Sequence, residues 1–227
     1  MNFAEKIIAF NQSLHFNGKL PEGIGIMNPF AENQHALEIS SQFYQKYYSD
    51  KKSRKIILGI NPGRFGAGIT GIPFTDTKRL EEKCGLAIPN VTTHELSSVF
   101  IYEMIAAYGG PDKFYNSFYI NSVSPLGFVK TNTKGKEINY NYYDDASLLK
   151  AVEPFMIESL EEQLNFGIDT STGFCLGTGK NYHYLNKLNK EKHYFDELIP
   201  LEHPRYIMQY KLKRKQEYIE KYLQILQ

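Results

Sequence analysis

Four short apolar runs, set apart by segments of helical periodicity, do most to limit what this chain can fold into. They lie near residues 56, 118, 174 and 198. The first, Ile56-Ile57-Leu58, has the unbroken apolar character of a strand buried on both faces. Strands that alternate with helices predict a mainly parallel sheet flanked by helices on both sides. No internal repeat interrupts the pattern.

Spacing and stop signals place the helices. Phe3, Ile7, Ile8, Phe10 and Leu14 form an amphipathic first helix, and a polar connection runs from Asn17 to Asn28 before a second helix over Ala31 to Tyr48. Thr77 to Cys84 predicts a short helix capped by Asp76 or Thr77. Another opens at Thr93-His94-Glu95-Leu96 and stops at Gly109-Gly110-Pro111. Thr131 to Tyr143 reads as a polar loop excursion. A long helix is expected from Asp144 to Asn165, with Pro154 set to kink or divide it. The basic cluster Lys51-Lys52-Arg54-Lys55 is assigned to a solvated face, and Gln209 to Leu226 to one basic closing helix.

A chain of 227 residues is long enough for one well-cored domain, residues 1–227, whose first fifty residues are helical. Seventeen Tyr and fifteen Phe with no Trp point to an aromatic core. The net charge of +1 excludes nothing, because a small nucleic-acid footprint needs only a local basic patch. Cys84 and Cys175, far apart and without a CxxC pair, argue against a disulfide scaffold, a zinc finger or a four-thiolate cluster. His94, His183 and His193 lack ligand-spaced acidic partners, so neither a metal nor a cofactor is expected. Glu5 and a short apolar run speak against a signal peptide, and no window approaches a membrane span. A cytoplasmic protein is the expectation.

The first strand breaks into Gly59-Ile60-Asn61-Pro62-Gly63, and Gly66, Gly68 and Gly71 follow. The stretch is neither GxxxxGK[ST] nor a GxGxxG that leads into a helix, since no Lys-Ser/Thr pair follows and Pro62 and Pro73 interrupt. A plain surface turn is one reading. The other is a pocket at the carboxyl end of a strand, where open α/β sheets bind ligands, with Phe65 and Phe74 as flat apolar surfaces. Asn61, Asn121 and His203 are all read as lying just past strand ends, which would gather them on one rim.

Such a rim suits a pyrimidine. Asn121 offers a donor beside an acceptor, the complement of the imide edge of uracil. Phe74 or Phe65 could stack on the ring. Asn61 could hold a water, and His203 could donate to a carbonyl that gains negative charge if the base leaves as an anion. Taken singly, each has a plainer reading: a turn histidine, a core phenylalanine, a strand-end cap. Asp76 is the nearest carboxylate and is read as a helix cap.

The residues that carry these roles also carry a resemblance. GINPGRFGAGITGIPF at 59–74 resembles the first motif of the uracil-DNA glycosylase superfamily, in particular GMNPGPFGMAQTGVPF of its single-strand-selective monofunctional branch. YINSVSPLGF at 119–128, CLGTGKNYHYL at 175–185 and EHPR at 202–205 resemble later segments in the same order, the last being the start of HPSPRNP. The resemblance implies a three-layer α/β/α fold with a central, mainly parallel four-stranded sheet. It implies a monofunctional DNA repair glycosylase, a hydrolase that leaves an abasic site, acting without a cofactor as a monomer on DNA with a flipped-out damaged base.

By that resemblance Asn61 positions the attacking water, His203 stabilises the departing anion, Asn121 reads the base, Phe74 stacks on it and Gly63 lies near sugar and ring. Ala67 stands where the related branch has Met and bears on pocket width. Only His203-Pro204-Arg205 of HPSPRNP remains, so Arg205 with Tyr206 or Met208 would replace the strand-separating wedge. Lys211, Lys213, Arg214 and Lys215 offer phosphate contacts or a solvated basic face. Two alternatives stay open: a glycosylase for xanthine, hypoxanthine or oxidised pyrimidines, and an inactive nucleic-acid-binding module of the same fold.

Overall fold

A computed structural model of the chain describes residues 1–226. In order the elements are α1 (Phe3–Ser13), β1 (Ile24–Met27), α2 (Pro29–Glu32), α3 (Gln34–Tyr48), β2 (Arg54–Gly59), α4 (Ala67–Thr70), α5 (Thr77–Cys84), α6 (Leu96–Tyr108) and α7 (Pro111–Ser117). Then come β3 (Phe118–Ser122), β4 (Gly127–Thr131), β5 (Glu137–Tyr140), α8 (Ala146–Leu164), β6 (Ile168–Leu176), α9 (Lys180–Lys192), β7 (Glu197–Leu201), α10 (Pro204–Tyr210), a 3-10 turn (Leu212–Arg214) and α11 (Lys215–Ile225). The four expected strands form one parallel sheet in the order β3-β2-β6-β7.

Helices cover both faces, giving three layers. On one side Tyr119 of β3 meets Phe3 of α1, and its hydroxyl approaches Gln163 of α8. On the other, Phe118 packs against Tyr108 of α6 and Phe174 of β6, and Tyr222 of α11 backs Phe100 of α6. Adjacent residues of β3 thus serve opposite layers, as the two-residue period of a strand requires.

Register brings the carboxyl ends of the strands level. Gly59 pairs with Ser122, Leu58 with Cys175, and Leu176 with Leu201. The turn at Asn61, the Gly177 loop and His203 therefore leave the sheet along one edge, and Gly177 N–H donates to the Leu201 carbonyl at 2.7 Å.

Several expectations need correction. The stretches 17–28 and 131–143 are not simple connections: β1, β4 and β5 make a second, antiparallel sheet in the order β1-β4-β5. β5 faces solvent along most of its length, so it carries no apolar alternation to betray it. Its hairpin turns at Asn132, whose side chain accepts from the Lys134 and Lys136 amides.

The second helix is divided at Asn33, which caps α3 through the His35 amide at 3.0 Å. The closing helix is split between α10 and α11, whereas α8 runs unbroken through Pro154. Asn121 lies inside β3, one residue before its end. Arg54 is not on a solvated face but is 1% exposed. Its guanidinium pairs with Asp50 at 2.8 and 2.9 Å, donates to the Tyr115 carbonyl at 2.7 Å and sits over the rings of Phe3 and Tyr48. A cation that finds this many partners tolerates burial.

Candidate active site

A cleft of about 810 Å³ opens at the carboxyl edge of the parallel sheet. Asn61, Gly63, Phe65, Ala67 and Phe74 from the glycine-rich loop line it, facing His203, Arg205 and Tyr206 from the start of α10. The β4–β5 hairpin supplies a further wall with Lys136, Glu137 and Asn139.

Asn61 is oriented by the end of β5 and the residues just after it. Its Nδ2 donates to the Tyr140 carbonyl at 3.2 Å and its Oδ1 accepts the Tyr142 amide at 3.2 Å. Arg64 completes the clasp, its amide donating to Asn139 Oδ1 at 3.1 Å and its guanidinium to the Glu137 carbonyl. The hairpin read as a loop therefore holds the candidate catalytic turn. An amide has no basic lone pair to take a proton, so Asn61 can orient a water but not deprotonate it.

Phe74 has φ of 54°, a conformation that is an outlier for an aromatic residue. Thr70 holds the loop in this shape: its hydroxyl donates to the Thr75 carbonyl at 2.7 Å and accepts the Ile72 amide at 3.2 Å. The ring is laid over Gly59, where a Cβ would stand 2.7 Å from Phe74 Cε2. Glycine is required there because the ring approaches the backbone itself.

His203 caps α10, its Nδ1 accepting the Arg205 amide at 3.1 Å, with Pro204 at the first helical position. An accepting Nδ1 puts the proton of the neutral ring on Nε2. Burial, with the Arg205 guanidinium adding, lowers the pKa of His203 to about 4. At neutral pH the residue is an uncharged imidazole with one N–H to donate.

Asn121 does not line the main cleft. With Asn11 and Tyr44 it lines a small adjoining cavity of about 10 Å³, and Pro62, Ala67 and Pro73 line both spaces. Its Nδ2 donates to the Tyr119 hydroxyl at 2.6 Å and its Oδ1 accepts the Ser122 amide at 2.8 Å, leaving one donor and one acceptor position unused. Asn11, buried to 4% exposure, has an Nδ2 with no partner among the described residues.

The proposed DNA contacts divide. Arg205 and Tyr206 line the cleft, and the Tyr206 ring lies against that of Tyr210, tilted by 41° with 5.6 Å between ring centres. Lys211 reaches toward the Tyr206 ring, but Arg214 is turned away into a two-armed pair with Glu217 at 2.9 and 2.7 Å.

The sequence reading missed two groups. Tyr210, 71% exposed at the rim, was hidden within an expected continuous helix. Glu95 lines the cleft, whereas Asp76, taken as the nearest carboxylate, is consumed as the cap of α5 by Arg79 and by the Glu95 amide. The acidic residue in Thr-His-Glu-Leu looked like an ordinary helix opening. Among the described residues no group of three or more His, Cys, Asp or Glu could hold a metal, and no helix is long and apolar enough to cross a membrane.

The family model described as the uracil DNA glycosylase superfamily matches residues 45–227. The solved structure of wild-type SMUG2 from Pedobacter heparinus is 54% identical, with a TM-score of 0.97 over 99% of this chain and 97% of that one. No curated protein matches the chain.

Proposed function

The chain belongs to the uracil DNA glycosylase superfamily, DNA glycosylases of base excision repair, and from that premise we propose how its cleft works on DNA. It takes a flipped-out uracil, hydrolyses the bond between the base and C1′, and leaves an abasic site. The observation that carries this reading is that Asn61 and His203, from distant parts of the chain, line one cleft with the His203 Nε2–H left over for a ligand.

Bond breaking leads. As the base departs with the bonding electrons, negative charge grows on its carbonyl oxygen and His203 Nε2–H donates to it. A neutral donor matches this task and holds no proton that it must lose first. The deoxyribose passes through an oxocarbenium-like state that a water held by Asn61 then captures. Phe74 stacks on the ring, Phe65 covers the entrance, and Gly63 keeps the loop close to the sugar. The imide edge reaches Asn121 through the neck between Pro62, Ala67 and Pro73, where Asn11 offers a second donor.

Arg205, Tyr206 and Lys211 contact the strand around the flipped nucleotide, and Tyr206, packed against Tyr210, serves as the wedge. Residues 1–50 belong to the same domain, since Phe3 packs on Tyr119 of the central sheet. The protein acts as a monomer in the cytoplasm, a reducing setting that its two unbridged, buried cysteines suit.

A wider base spectrum is favoured by Ala67, a small side chain at the neck where a longer one would narrow the passage. Oligonucleotides carrying uracil, xanthine, hypoxanthine or hydroxymethyluracil, single-stranded and paired, test both readings by alkaline scission. Scission at uracil is expected, and scission at the bulkier bases as well supports the wider spectrum. Binding without scission at any lesion would instead identify an inactive binding module.

A further inference from the structure

Glu95 is the N-cap residue of α6, yet its side chain makes no capping bond. Its amide is held by Asp76 Oδ2 at 2.7 Å, and its carboxylate turns toward the glycine-rich loop. A Cβ on Gly63 would lie 3.0 Å from Oε1, and one on Gly66 2.1 Å from Oε2. Two glycines of the loop thus make room for this carboxylate, which lies beside the turn that carries Asn61. Among the described residues it has no hydrogen bond and no ion pair within 4 Å, whereas Asp76 is paired with Arg79 and Glu137 with Arg64 at 4.0 Å.

An unpaired anion in a cleft that receives polyphosphate costs free energy twice, by desolvation and by repulsion. Neither cost serves the fold. Beside a sugar that becomes oxocarbenium-like, on the other hand, an anion stabilises the growing positive charge in the bond-breaking step and then accepts the proton of the capturing water, neither of which Asn61 can do.

We propose that Glu95 is the general base of the reaction. The glycosidic bond breaks heterolytically and both electrons leave with the base. The water oxygen forms a bond to C1′, and as it does so one of its protons passes to the Glu95 carboxylate. That proton is then released to the departed base anion or to solvent, so that one water is consumed, its hydroxyl on the sugar and its proton on the base. The inference rests on the glycosylase reading above.

Burial raises the pKa of Glu95, Arg205 of α10 opposes the rise and Asp76 ahead of α5 adds to it. Arg64, Lys136, Glu137 and Lys180 line the same cleft, and His203 stays neutral above about pH 4. A carboxyl raised in this way is better matched to proton transfer near neutrality than an ordinary one.

The test is single-turnover excision from a uracil oligonucleotide, at saturating full-length enzyme, across a pH series. The wild type is expected to lose rate on the acid side as Glu95 takes a proton. Glu95→Gln should remove that limb and lower the neutral-pH rate by about a hundredfold or more, with DNA binding unchanged or tighter. Glu95→Asp should retain the limb at a reduced rate. Gly66→Ala, whose methyl displaces the carboxylate without altering it, should imitate Glu95→Gln and covers the case in which that variant does not fold. An active wild type with Glu95→Gln equally fast, or slower but with its acid limb intact, overturns the assignment to Glu95 alone. A wild type inactive on every lesion overturns the glycosylase reading as well.

Discussion

The rings of Phe74 and His203 lie 5.8 Å apart between centroids, tilted by 50°. One ring is carried on a loop with a left-handed residue, the other on a helix N-cap, and they meet only because β2 and β7 end on the same edge of the sheet. Together they form a corner with an aromatic face and an N–H donor, a shape suited to a planar base whose carbonyl gains charge.

His203 has two tasks that one substitution can separate. His203→Asn keeps a side chain suited to capping α10 but removes the Nε2 donor. Uracil excision in single turnover is expected to drop by about 10²- to 10³-fold while the melting temperature changes little. A folded variant that cuts at the normal rate would remove His203 from the mechanism.

The same residue makes stability depend on pH. In the folded chain it protonates only near pH 4, but in the unfolded chain near 6.5. Between those values the unfolded state binds more protons, so stability falls as pH is lowered through this window. Urea unfolding at a series of pH values should show the slope, and His203→Asn should flatten it.

Asn61→Ala is expected to damage both chemistry and fold. It leaves the Tyr140 carbonyl and the Tyr142 amide without their partner, at a cost of about 1–3 kcal/mol. Excision should slow by about 10²-fold or more, because water loses its positioning group. Chemical denaturation paired with single-turnover kinetics measures the two effects separately.

Gly59→Ala probes the aromatic platform without changing the Phe74 side chain itself. The new methyl would collide with the Phe74 ring at 2.7 Å and push it out of the cleft. Stacking on an aromatic contributes about 1–3 kcal/mol per base, so kcat/KM for uracil should fall by about tenfold or more. Phe74→Ala should give a similar loss, and a double variant should add little to either.

The two charges that follow α10, Lys211 and Arg214, are predicted to act unequally. Lys211→Ala should weaken DNA binding and lower the dependence of log K on log salt by about one contact. Arg214→Ala should leave that slope nearly unchanged, since Glu217 already offsets its charge. Tyr210→Ala should weaken binding without changing the slope. Fluorescence anisotropy over a salt series distinguishes the three outcomes.

The parallel strands, the short helix after Asp76 and the placement of Asn61 and His203 beyond strand ends were legible from letters alone. Each depends on a local pattern, an apolar run or a cap, that the chain states within a few residues. Arg54 and β5 were not legible for the opposite reason. The first looks like one cation among several until Asp50, Phe3 and Tyr48 surround it, and the second has no buried face to imprint a period.

Sequence by itself therefore determined the α/β framework and the family motifs, because periodicity and turn chemistry act over short stretches. Only the tertiary structure decided that a hairpin clasps Asn61, that Asn121 looks into a side cavity, and that Glu95 rests against Gly63 and Gly66. Those outcomes depend on strand register and on the approach of distant backbones, and neither is written in the neighbourhood of any one residue.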